Sequence, residues 1–273
     1  MINKITRKNS VKIIDNNYVI KNKSKNIIET YNYLISRGFN NLPEIIKEDD
    51  NYIYYKYIND IVEPKEQKII DLINILIILH SKTTFYKEID IDSNKEIFER
   101  INNEIDYLYN YYNKLMDNIE STVYMSPSDY LIARNISIVY DSLRYAKDSI
   151  NEWYKIVSGH RDKRVVMTHN NLLLEHYLKD DIPYLISWDN AKIDSPIYDL
   201  VSLYKNNYLD YDFKDILKIY FKKYPLTKDE ILLFFTLISV PSKINYKDSE
   251  YKRVLEVRRI IDYLYKTSKL REE

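Results

Sequence analysis

Between Arg164 and Leu200 the chain gathers most of the side chains with which it could do chemistry: His169, Asn170, Asn171, Glu175, His176, Ser187, Asp189 and Asp199. Their types limit what that chemistry can be. A group that takes the proton of a substrate hydroxyl needs charge or basicity, and the carboxamide of Asn171 has neither. Magnesium wants hard oxygen ligands in near-octahedral geometry. Asp189 is a suitable ligand, the Ser187 hydroxyl supplies no charge, and the His176 imidazole is a poor substitute for oxygen. If residues 186–189 are extended, Ser187 and Asp189 point to the same face. Asp189 would then reach a metal that Ser187 cannot hold alone. Asn170 and Asn171 also suit a loop in which their side chains satisfy local backbone groups.

The elements that must position these residues are legible from pattern. Val165-Val166-Met167-Thr168 is an apolar strand running into the loop at His169, and Tyr184-Leu185-Ile186 is a second strand running into Ser187. Upstream, residues 11–21 read as a β-hairpin around Asp15-Asn16-Asn17. Residues 24–37 carry apolar positions at Ile27, Ile28, Tyr31, Leu34 and Ile35, a helical stripe that Ser24 caps and Gly38 ends. Strands over 42–47 and 51–58 flank the acidic turn Glu48-Asp49-Asp50. Residues 66–82 are apolar almost all round, which marks a buried helix. Amphipathic helices follow over 94–121 and 128–157, then over 212–223, 227–240 and 248–269.

This ordered set resembles the aminoglycoside phosphotransferase and choline kinase superfamily, which has a protein-kinase-like fold. Its members carry His-Gly-Asp-x-x-x-x-Asn, then Ile-Asp-Trp/Phe-Glu, then Asp-Pro-x-x-Asp-Leu. Here the frame reads His169-Asn170-Asn171 through His176, then Ile186-Ser187-Trp188-Asp189, then Ser195-Pro196-Ile197-Tyr198-Asp199-Leu200. The resemblance implies that Asn171 stands where the base belongs, and that His176 and Ser187 stand where magnesium ligands belong. It gives His169 a scaffold role and Asp199 the task of opening a helix while accepting from the loop backbone. Lys21, ending Tyr18-Val19-Ile20-Lys21, is similar to the lysine that grips nucleotide phosphates. Glu29 would be its partner acid, and Tyr57-Ile58 the hinge beside the adenine. Leu79-His80-Ser81 is similar to the Leu-His that closes the corresponding helix. The family's cofactors would be ATP and Mg. Within the superfamily the chain looks nearest the bacterial spore-coat kinase-like proteins.

Composition excludes several classes. The 273 residues balance 41 Lys and Arg against 41 Asp and Glu. Such a surface has no general pull toward nucleic acid or an acidic membrane. There is no cysteine, so no disulfide or thiolate zinc site. No signal peptide or long apolar span is evident, which places the protein in the cytoplasm. The excess of Ile, Lys, Asn and Tyr reflects an AT-rich bacterial genome. Only Gly38 and Gly159 are glycines. A phosphate-cradling loop needs backbone that approaches the ligand and takes positive φ. No Walker loop, dinucleotide fingerprint or kinase-type glycine loop exists here.

The expected fold is therefore α+β and two-lobed: a small β-rich N-lobe over 1–58 and a large helical C-lobe over 59–273 that carries the degenerate loop. With ten residues ahead of Val11, the first edge of the N-lobe sheet should be short. The residues favour a pseudokinase, a binding or scaffold module whose partner is a small molecule or a protein. Two alternatives stay open. One is an active small-molecule phosphotransferase with relocated metal ligands, Asp189 and Glu175. The other is a structural partner that uses its tyrosine-rich helical faces.

Overall fold

The computed structural model describes residues 5–8, 11–14, 17–245 and 249–272. The chain opens with β1 (Ile5–Lys8), β2 (Val11–Ile14), β3 (Tyr18–Asn22), α1 (Ile27–Ser36), β4 (Ile45–Glu48), β5 (Tyr52–Lys56) and α2 (Lys65–Thr83). It continues with β6 (Phe85–Glu88), α3 (Ser93–Glu120), α4 (Pro127–Val157) and β7 (Asp162–Thr168). Then come β8 (Tyr177–Lys179), β9 (Pro183–Leu185), β10 (Lys192–Asp194), α5 (Ile197–Asn207), α6 (Phe213–Lys223), α7 (Lys228–Ser239) and α8 (Glu250–Arg271). Two compact units result. The first takes residues 1–85, 164–203 and 218–225, and the second takes 86–163, 204–217 and 226–273.

In the first unit, five antiparallel strands lie in the order β1-β2-β3-β5-β4. The edge is longer than its sequence suggests. All four residues of β1 pair with β2, from Ile5 opposite Ile14 to Lys8 opposite Val11. Asn9 and Ser10 stand between the two strands in sequence. Those two lie outside the described residues, as do Asp15 and Asn16 of the expected hairpin turn. On β5 burial alternates, with Ile53 and Tyr55 inward. Val19 pairs with Tyr55 and Lys21 with Ile53. Cross-strand partners share a face, so register alone turns Lys21 toward the interior.

The stripe Ile27, Thr30, Tyr31, Leu34 buries one side of α1. The helix starts later than expected, with Asn26 rather than Ser24 at its N-cap and no side-chain capping bond. Its end is as expected. Gly38 sits at φ 75, its N–H bonds the Ile35 carbonyl, and the Phe39 N–H bonds the Leu34 carbonyl. This is a Schellman turn, which needs a left-handed residue and suits glycine. The turn delivers Phe39, fully buried, onto Trp188 with ring centroids 5.7 Å apart. The next strand begins at Ile45 rather than at Leu42, because Pro43 has no N–H to give a ladder. α2 buries Ile69, Leu72, Ile73, Ile75, Leu76, Ile77, Leu79 and His80, as its all-round apolar sequence requires.

In the second unit, α4 packs against α3, α7 and α8. The buried positions of α3 are Ile101, Ile105, Leu108, Tyr112, Leu115 and Ile119, and those of α4 include Val139, Leu143, Ala146, Ile150, Trp153 and Val157. Both alternate steps of four and three, the seam of a coiled-coil-like helical hairpin. Caps set the ends. Ser126 accepts from the Asp129 N–H at 3.2 Å ahead of Pro127, and Thr227 with Glu230 forms a capping box on α7. Among the described residues no helix is long and apolar enough to cross a membrane.

Candidate functional site

Asp199, in the first turn of α5, organises the loop after β7. It is fully buried. Its two carboxylate oxygens accept from the backbone N–H groups of His169 and Asn170, each at 2.8 Å. One of them also meets His80 Nε2 at 3.2 Å, and the Tyr220 hydroxyl meets His80 Nδ1 at 2.6 Å. His80 thus links the Tyr220 hydroxyl to the Asp199 carboxylate through its two ring nitrogens. Burial pushes the Asp199 carboxyl up, but His80, His169 and the backbone amide more than offset it and hold it below the usual carboxylate range. Asn170 takes a left-handed backbone, φ 54, which asparagine tolerates better than most residues.

The histidines brace this loop through carbonyls. His169 Nε2 bonds the Ile186 carbonyl at 2.8 Å, and His176 Nδ1 bonds the Asn171 carbonyl at 2.7 Å. A carbonyl can only accept, so each of those nitrogens carries the proton. The Ile186 N–H closes the loop on the His176 carbonyl at 2.9 Å. Asn170 and Asn171 act differently from the sequence expectation, since the loop uses their backbone groups rather than their carboxamides.

The second strand does not run extended through Ser187. Ser187 is left-handed, φ 68 and ψ 54, and Trp188–Asn190 form a single 3-10 turn. The cause is Trp188. Its ring is buried against His169 at 4.8 Å and against Phe39, and its indole N–H bonds the Leu185 carbonyl at 2.7 Å. Swallowing that ring forces the reversal at 187. Ser187 and Asp189 nonetheless converge, by this turn rather than by strand alternation. Lys21 Nζ lies 3.0 Å from Asp189 Oδ2 and 3.3 Å from Ser187 Oγ. Asn170 and Ser187 are the only non-glycine residues at positive φ among the described residues. Such strain of about 1–3 kcal/mol each persists where surroundings over-determine the backbone.

Glu29 does not partner Lys21. It falls off the buried stripe of α1 and is exposed, so the lysine's acid is Asp189. The inward helical position belongs to Tyr31, whose ring is 6.0 Å from that of Tyr55. Burial raises both phenols, Tyr55 to about 12, and the Asp189 carboxylate adds to the effect on each. Both rings therefore stay protonated beside the Lys21–Asp189 pair. In sequence Tyr31 reads only as a position on the apolar stripe of α1, and no local signal marks Tyr55. At the hinge, Tyr57 and Ile58 are half-buried, and the Tyr57 N–H is spent on the Asn17 carbonyl at 3.0 Å. Just beyond, β8 holds the chain. The Ile61 N–H bonds the Lys179 carbonyl at 2.7 Å, Asp60 accepts from the Lys179 N–H at 2.8 Å, and the Lys179 amine bonds Asp71 at 3.0 Å and Glu63. Glu175 is exposed in a 3-10 turn, Leu174–His176. Among the described residues no group of three or more His, Asp or Glu side chains could hold a metal ion. The donor set does not fit magnesium.

One titration follows from this geometry. Burial lowers the His169 imidazole below its ordinary range, with the Asp199 charge opposing. The folded state thus binds that proton more weakly than the unfolded chain. Its stabilising contribution is complete above the unfolded value of about 6.5 and is lost as pH falls toward the folded value. The denaturation midpoint should drop between about pH 7.5 and about pH 5.5. His169→Gln keeps a donor for the Ile186 carbonyl without titrating, and should flatten that slope. An identical slope in the variant would exclude His169 as its source.

Comparison with solved structures identifies the fold. An aminoglycoside phosphotransferase from Alicyclobacillus acidocaldarius aligns with a TM-score of 0.72 at 9% identity, covering 98% of this chain and 91% of that one. A spectinomycin phosphotransferase in its AMP-bound complex gives 0.56 at 13% identity, covering 94% and 90%. A glucosamine kinase gives 0.56 at 11% identity, covering 99% and 77%. No protein-family model and no curated protein matches the sequence. The chain has the α+β, kinase-like fold of these phosphotransferases.

Proposed function

We propose that this chain is a pseudokinase, a binding or scaffold module built on the phosphotransferase fold. One observation carries the reading. Lys21, the residue placed to grip phosphates, is committed to Asp189 and Ser187 at 3.0 and 3.3 Å. Position 171 is an amide, and the His176 imidazole is turned onto a carbonyl. Phosphoryl transfer rests almost entirely on positioning and electrostatic stabilisation, and here the charged groups cancel each other. The shape of the loop is kept by Asp199, His80 and His169, which serve structure. The reading includes a cytoplasmic location and a small-molecule or protein partner, with no nucleic acid and no membrane.

A relocated-metal phosphotransferase is the competing reading, supported by the convergence of Asp189 on Ser187. It requires Asp189 to leave Lys21, and among the described residues Glu175 makes no hydrogen bond or ion pair with Asp189 or Ser187. The test is a thermal-shift series with ATP and GTP, each with and without magnesium, alongside turnover on aminoglycosides, choline-like alcohols and protein hydroxyls. A binder of nucleotide at 100-fold its Kd gains about 2.7 kcal/mol, which such a series resolves. The expected result is no magnesium-dependent shift and no turnover. Steady ATP turnover that disappears in Asp189→Ala would establish the competing reading.

A further inference from the structure

The second unit holds a cavity of about 450 Å³ lined by residues of α3, α5, α7 and α8 and of the segment after α7. None of the residues placed in the candidate functional site lines it. Its apolar wall is Ile101, Leu237, Val240 and Ile260, with the rings of Tyr208 and Tyr263. Four charged side chains border it: Glu104, Lys205, Glu256 and Arg259. They are not equally available. The Glu256 carboxylate is occupied by the Asn245 N–H, at 3.1 and 3.2 Å to its two oxygens. The two phenols are spent as well, Tyr208 on the Arg259 carbonyl at 3.1 Å and Tyr263 on the Ile238 carbonyl at 2.7 Å.

Two cations and two acids therefore border the cavity, and of the two acids only Glu256 is hydrogen-bonded among the described residues. Lys205 and Arg259 make no hydrogen bond and no ion pair through their side chains among the described residues. Glu104 acts on Lys205 only through its field. The surrounding wall lowers the Lys205 amine from the ordinary lysine range, and Glu104 opposes that shift. Two unengaged cations beside an apolar cavity of drug-like size complement one kind of ligand.

We infer that this cavity is a binding site for a small amphipathic organic anion. The carboxylate head would sit between Lys205 and Arg259, and the apolar body against Ile101, Leu237, Val240 and Ile260. A phosphate monoester with a similar body offers the same chemistry, so the test separates the two head groups.

The experiment is calorimetric titration of the full chain with 3-phenylpropanoate, 3-phenylpropyl phosphate and the neutral 3-phenylpropanamide. At least one acid should bind saturably below about 1 mM, at least about tenfold more tightly than the amide. The tighter acid names the head group. Lys205→Met and Arg259→Met should each weaken that acid at least about fivefold, while Lys205→Arg retains binding because it keeps the charge. These side chains reach solvent, so folding should survive, and far-ultraviolet circular dichroism checks that it does. Equal binding of acid and amide, unchanged affinity in both Met variants, or no saturable binding of either acid up to about 5 mM would each overturn the assignment.

Discussion

Replacing Asp199 with alanine should cost about 3–5 kcal/mol of folding stability, although it removes no reacting group. The carboxylate has no solvent to lose, since it is fully buried. Three donors converge on it: two backbone N–H groups at 2.8 Å and His80 Nε2 at 3.2 Å. Alanine leaves all three unpaired in the interior, each at about 1–3 kcal/mol before relaxation. Removing the buried charge relieves its desolvation, so the losses are not a simple sum. Asn170 would also keep its left-handed backbone without the bond that holds it there. Asp199→Asn should fall between the two, because its carbonyl still accepts while its NH₂ faces a donor. Equilibrium denaturation in urea measures both variants. A midpoint unchanged in Asp199→Ala would mean that these amides find other partners at little cost, and that Asp199 is not what shapes the loop.

Restoring the superfamily's residues together, Asn171→Asp, His176→Asn and Ser187→Asp, should raise Mg-nucleotide affinity about tenfold or more and yield little or no turnover. The left-handed backbone at 187 admits Asp more readily than most residues. Its carboxylate would stand near Asp189, and the pair would give a divalent cation something to hold. Lys21 would then be free to move between the acids and a phosphate. The grip on the phosphates would still be incomplete. The link between β1 and β2 is Asn9-Ser10, with no glycine to bring backbone amides against the ligand. The phenols of Tyr31 and Tyr55 would still lie beside the acids. Calorimetric titration with Mg-ATP, paired with turnover on a broad panel of alcohols, makes the comparison. Brisk turnover would show that three side chains alone separate this chain from an enzyme, and would remove the argument from the short β1–β2 link.

The sequence by itself determined which side chains the loop offers. That follows from residue types at loop spacing: an amide at 171, an imidazole at 176 and a hydroxyl at 187 have those properties in any fold. It also determined the principal helices and the end of α1, because helical stripes and the Gly38 stop are local signals that short-range physics obeys, while the short strands β1, β6 and β10 carry no such signal. The tertiary structure decided the partnerships. Lys21 and Asp189 are 168 residues apart, and His80 and Asp199 are 119 apart. No periodicity specifies such pairs; they follow from strand register and from how α2 lies under the loop. The same holds for Ser187, where an extended run was the reasonable local expectation. Burying the Trp188 ring against Phe39 and His169 outweighed it, since a large aromatic side chain gains more from the interior than one strained backbone angle costs. The cavity of the second unit was beyond sequence reading for a related reason. Lys205 and Arg259 look like ordinary surface charges along their own helices, and only the packing of the helices brings them to one wall.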